Sequence, residues 1–170
     1  MKLLLRSAVA ALLFGVLAAS RGTAQQPAGG TNWFAGEIEV TCDAVGVEGV
    51  QILTVYGVAR NDRDALAAAV RNAALVILFR GVQTSVCTVP PMLRPADMTA
   101  EADRHFTRMF APNGTYLSYV SFAGDQVESR MRVGRNIRVG TTVSVATARL
   151  RQDLEQAGVL GTLGGAFRRP

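Results

Sequence analysis

The stretch from Asp62 to Gly81, DRDALAAAVRNAALVILFRG, constrains the fold more than any other part of the chain. Alanine and leucine dominate it, and both favour the helix. Asp62 and Asp64 stand in the first turn, where the helix dipole favours acids, and Asn61 or Asp62 can cap the free amides. Leu66, Ala69, Val70, Ala73, Ile77 and Phe79 make a broad apolar stripe. Arg80 sits in the last turn and Gly81 supplies the left-handed stop. A helix whose apolar side is rich in alanine belongs against a flat surface that it can approach closely, and a sheet is such a surface.

The flanking sequence supplies that sheet. Residues Glu37 to Cys42 alternate polar and apolar, the period of a half-buried strand, and Gly46 and Gly49 then mark a turn. A second strand follows from Val50 to Val58, with Ile52, Thr54 and Tyr56 on one face and Leu53 and Val55 on the other. These two runs predict a hairpin. A longer loop, Val82 to Pro95, leads to a shorter helix capped by Thr99 and running to Phe110. Pro112-Asn113-Gly114 marks the turn that ends it, and the formal glycosylation sequon Asn113-Gly114-Thr115 is read as part of that turn. Three more strands are expected at Tyr116 to Phe122, Gln126 to Arg132 and Asn136 to Ala146, the first two joined by a tight turn at Ala123-Gly124-Asp125. Thr147 is placed to cap a final helix ending at Ala157. The order β-β-α-α-β-β-β-α predicts an α+β domain, a mostly antiparallel sheet of about five strands with two to three helices on one face.

The N-terminus bears on where such a domain works. Lys2 and Arg6 precede an apolar run from Ala8 to Ala19 and then small residues, the pattern of an export signal over residues 1–24. Cleavage after Ala24 uses Gly22 and Ala24; cleavage after Ser20, with Ala18, is the alternative. No cysteine follows the run, so a lipid anchor is not expected. Residues 25–33 read as a flexible tether, 34–160 as one domain and 161–170 as a disordered tail. Loss of Lys2, Arg6 and Arg21 from 18 basic residues leaves fifteen against 13 acidic ones, a net charge of +2 in place of +5. Such a balance, without a dense basic stripe, points away from nucleic acid.

A search for chemistry finds little. His105 is the sole histidine; as a proton carrier it would need a carboxylate, and Asp103 two residues away does not share its helix face. There is no G-x-S-x-G elbow, and two cysteines with one distant histidine make a poor zinc set. Glu37 and Glu39 share a strand face, where paired carboxylates either hold a cation or keep an edge soluble. Gly134 and Gly140 lack the lysine and helix of a phosphate loop. Cys42 and Cys87 are either a disulfide of an oxidising compartment or two buried thiols. Arg130, Arg132, Arg135 and Arg138 are the nearest approach to a patch, able to meet an acidic partner or anionic lipid.

The segment Tyr56 to Val82, YGVARNDRDALAAAVRNAALVILFRGV, joins a glycine after a strand to a polar cap and then A…A…NA…LF-G. In this it resembles a family of uncharacterised bacterial exported proteins and, more distantly, is similar to the N-terminal domain of flagellar assembly protein T and related small envelope lipoproteins. Later segments share the resemblance: HFTRMFAPNGTYLSYVS, then a V-x-V strand leading to LRQDLEQAGVL, so that it runs from about Thr54 to Leu160. It implies a non-enzymatic envelope role, accessory to outer-membrane assembly or secretion of the curli-export type, with no catalytic residues carried over. The chain departs from the lipoproteins in having no cysteine directly after its apolar run to lipidate.

The expectation is an exported interaction domain without catalytic residues, cofactor or metal, binding another envelope protein and able to form a homo-oligomer. Gly57, Asn61, Asn72 and Gly81 are expected to be structural, Asn72 by bonding nearby backbone. The alternative is a small periplasmic hydrolase or ligand-binding protein using His105 with a carboxylate.

Overall fold

The computed structural model describes residues 31–161. The export signal, most of the tether and all but the first residue of the predicted tail lie outside them. Among the described residues the fold is α+β, with three helices and an antiparallel five-stranded sheet. Its strands are β1 (Val40–Val45), β2 (Val50–Ala59), β5 (Val120–Phe122), β6 (Ser129–Val133) and β7 (Asn136–Ala146); β3 (Val82–Gln83) and β4 (Thr88–Val89) form a separate small hairpin. The helices are α1 (Asp62–Leu75), α2 (Ala100–Met109) and α3 (Thr147–Gln156).

Strands β2 and β7 are the spine, paired in unbroken antiparallel register from Val50↔Ala146 to Ala59↔Ile137. Period-2 alternation sends Leu53, Val55 and Gly57 of β2, and Val139, Thr141, Val143 and Val145 of β7, to the buried side. There α1 lies across them on Ala65, Ala69 and Ala73, none of them exposed. Gly57 is the reason it comes so close. A Cβ on Gly57 would run into the carbonyl oxygen of Ala65 and the amide nitrogen of Ala69. Asn61 caps α1, its Oδ1 accepting the Asp64 N–H at 2.9 Å.

The far end of α1 loosens into a π-helical turn, Val76–Arg80, closed by the Gly81 N–H donating to the Val76 carbonyl at 2.7 Å. Gly81 takes φ 71°, and a side chain there would meet the Val89 carbonyl and Pro91. Carbonyls left over at a helix end need partners. The loop provides them, as the Met92 and Leu93 amides donate to Ile77 and Leu78 at 3.2 and 2.8 Å. Cys42 of β1 and Cys87, just before β4, form a disulfide with Cα atoms 6.1 Å apart. It ties the loop to the sheet edge.

Several expectations need correction; the strand expected from Tyr116 begins only at Val120, because Thr115–Ser118 winds into a 3-10 turn. Strand β1 starts at Val40 rather than Glu37, because the preceding chain turns away to bury Trp33. Trp33 is therefore core and not tether: it is 6 % exposed and stacks among Phe79, Phe106 and Phe110. Its Nε1–H donates to Asp103 Oδ1 at 2.7 Å. Strands β5 and β6 do not pair as a hairpin. They lie end to end along the same edge of β7, Phe122 opposite Val143 and Ser129 opposite Gly140, with residues 123–128 bulging out between. Finally, Thr147 is the first residue of α3 rather than its cap, because β7 runs straight into that helix; its hydroxyl donates to the Gly49 carbonyl.

Candidate functional site

All three described helices contribute to one core, and among the described residues no helix lies on the opposite face of the sheet. That open face is polar and cross-linked. Thr54 Oγ1 donates to Asp43 Oδ2 at 2.6 Å, Thr142 Oγ1 donates to Glu128 Oε2 at 2.8 Å, and the two threonine oxygens are 2.9 Å apart. This ladder spans β1, β2, β7 and the bulge. Beside it the Arg138 guanidinium lies 3.7 Å over the Tyr56 ring and pairs with both Glu39 carboxylate oxygens. The Glu39 bond holds the Arg138 pKa above its ordinary value, against a smaller desolvation effect. Tyr56 in turn covers Gly140, where a Cβ would come within 2.6 Å of the ring. The ladder follows from Thr54 and Thr142 facing each other in register, a pairing invisible until β2 and β7 are known to be neighbours.

An open cleft of about 600 Å³ lies at this end of the sheet, lined by Glu37, Glu39, Tyr56, Val58, Ala68, Asn72 and Arg138. Strand β1 pairs with β2 only as far as Val40↔Val55, and after the Tyr56 amide donates to the Glu39 carbonyl at 3.3 Å the rest of the β2 edge has no strand beside it among the described residues. Asn72 meets part of that need, its Nδ2 donating to the Tyr56 carbonyl at 2.8 Å. Glu37 and Glu39 both line the cleft, but Glu39 is committed to Arg138.

The four arginines of the predicted patch do not share a face. Met131 sits opposite Arg138 in the β6–β7 register, so Arg138 belongs to the open face while Arg130 and Arg132, one residue either side of Met131, point to the helix side. Arg130 there pairs with Asp62 at the start of α1, through Nε to Oδ1 and, at 3.2 Å, Nη2 to Oδ2. That bond holds the Asp62 carboxyl below its usual range and the Arg130 pKa above its own. Arg135 lies in the two-residue turn with Gly134, which takes φ 59°.

His105 stands on α2, half-buried and edge-on to Phe106. Burial and then the charge of Arg108 push its pKa below 6.5. No hydrogen bond to its imidazole occurs among the described residues, and Asp103 is taken by Trp33. The pairing that acid–base catalysis by His105 requires is therefore not formed there. Among the described residues no three His, Cys, Asp or Glu side chains group to hold a metal ion, and no helix is long and apolar enough to cross a membrane. No protein-family model, curated protein or solved structure matches the chain.

Proposed function

We propose that this chain is an exported, non-catalytic interaction domain of the cell envelope, an accessory to outer-membrane assembly or secretion. The observation that carries the reading is the Cys42–Cys87 disulfide, which joins the sheet to a loop 45 residues away in sequence. Bridges of this kind form and persist in oxidising compartments. The export-type leader supports the same compartment. Among the described residues helices cover one side of the sheet only, which leaves its polar face and the outer edge of β6 open to another protein. Among the described residues no carboxylate is bonded to His105, whose nearest acid in sequence, Asp103, is held by Trp33, and this favours binding over catalysis.

The test is fractionation of cells producing the tagged full chain, followed by thiol labelling and gentle crosslinking in the intact envelope. The reading expects blocked thiols, an envelope fraction and one recovered outer-membrane or secretion component. Free thiols in a cytoplasmic fraction, or a disulfide-bonded envelope protein that crosslinks to nothing, overturn it.

A further inference from the structure

The outer edge of β6 has no strand paired to it among the described residues. Backbone groups of the even-numbered residues of β7 face this side: Gly140 and Thr142 accept from the Glu128 and Ala123 amides, both at 3.0 Å, and the Ala146 amide donates to Tyr119 at 2.9 Å. In register, those groups are met by Ser129, Met131 and Val133. The N–H and C=O groups of Arg130 and Arg132 consequently point away from β7, and among the described residues no strand pairs with β6 on that side. An unpaired edge is a template for another strand unless something guards it.

Its side chains define what that strand looks like. On the helix side stand Arg130 and Arg132, two residues apart. Arg130 is already held by Asp62, whereas Arg132 has no acid within salt-bridge distance among the described residues. On the open side stand Met131 and Val133, large apolar side chains 53 % and 45 % exposed. A strand laid beside β6 would therefore match its neighbours with acids at alternate positions and apolar residues between them. A second copy of this chain is a poor occupant. Antiparallel pairing of two β6 strands about Met131 sets each Arg130 against the other copy's Arg132, and like charges directly opposite destabilise a sheet.

We infer that β6 accepts an extended segment of alternating acidic and apolar residues by β-strand addition, with Arg132 as its principal charge contact. The inference rests on the reading of this chain as an interaction domain and names the partner's chemistry. Backbone pairing provides affinity in this mode, and the alternate side chains provide specificity.

The test uses the ¹⁵N-labelled, disulfide-bonded protein and an end-blocked peptide of alternating Glu and Val, seven residues long. Binding is expected to shift the Arg130 and Arg132 amides and slow their hydrogen exchange more than that of Met131, which already faces β7. The variant Arg132→Glu, whose fold is checked by circular dichroism, is expected to weaken binding at least tenfold. A peptide N-methylated on its pairing edge is expected not to bind. Equal binding of a Lys-for-Glu peptide, undiminished binding of the N-methylated peptide, shifts confined to other elements, or a dimer joined through β6 in sedimentation would each overturn the inference. The two proposals fail separately. A captured envelope partner without peptide binding removes the edge site alone, and peptide binding by a cytoplasmic protein removes the envelope reading alone.

Discussion

The Asn72 side chain reaches from the last turn of α1 to the carbonyl of Tyr56, donating through Nδ2 at 2.8 Å to an oxygen that no described strand accompanies. It does the work of a missing strand at one point. Gly57, next in sequence, brings the two elements near enough for that reach.

Removing the amide leaves the Tyr56 carbonyl to water or to nothing. Asn72→Ala is expected to destabilise the protein by about 1–2 kcal/mol, the usual cost of a lost, partly buried hydrogen bond. Asn72→Asp sets a carboxylate against the carbonyl and is expected to cost more. Urea unfolding at neutral pH checks both; an alanine variant as stable as the parent would show the bond to be incidental.

Gly57→Ala puts a methyl group into the backbone of α1 at Ala65 and Ala69, neither of which can swing aside as a side chain does. Overpacking of this kind costs roughly 1–3 kcal/mol, and contact with backbone places this case at the upper end. The measurement is the urea midpoint, with the Asn72–Tyr56 bond expected to weaken in parallel. An unchanged midpoint would mean that α1 can lift from the sheet at no cost.

The Cys42–Cys87 bridge closes a loop with a sequence separation of 45. In the chain-entropy model a loop of that length contributes about 4 kcal/mol, and measured disulfides typically give 2–4. Reduction, or the double variant Cys42→Ser with Cys87→Ser, is expected to lower the unfolding free energy by that order. Equal unfolding curves with and without reductant would contradict it.

His105 gives a pH signature, and as the only histidine it gives a single imidazole signal in NMR. Burial, then Arg108, holds its folded-state pKa below 6.5. The unfolded chain thus binds this proton more readily than the folded one. The contribution to stability is complete above about pH 6.5 and is lost as the pH falls through that value toward the folded-state pKa. An NMR titration is expected to show a midpoint below 6.5, and His105→Gln is expected to remove this part of the pH dependence. A midpoint above 6.5 would show that His105 has an acidic neighbour.

Much of this architecture is written locally. Strand β7 matches the predicted Asn136 to Ala146, β2 extends the predicted run by one residue, and α2 lies within the predicted helix. The Asn61 cap, the Gly81 stop and the division of β2 into two faces are likewise read from adjacent residues, whereas the structure decides which face is buried. In each case the deciding physics is short-range: alternation, a cap within three residues, or a backbone angle at one glycine.

What tertiary structure decided is which distant residues meet. A short Ala123-Gly124-Asp125 turn looks like a hairpin, but β7 is longer than β5 and β6 together and offers both of them a single edge. The arginines look like one patch along the chain, yet register sends Arg138 to one face and Arg130 and Arg132 to the other. Trp33, assigned with the polar residues before it, is claimed by an aromatic core assembled from Phe79 in the π-helical turn after α1, Phe106 in α2 and Phe110 just past its end. Periodicity fixes the face of a strand relative to its own neighbours. The partner of that strand is set by competition among all the surfaces in the fold, and a sequence holds that only through the three-dimensional packing it produces.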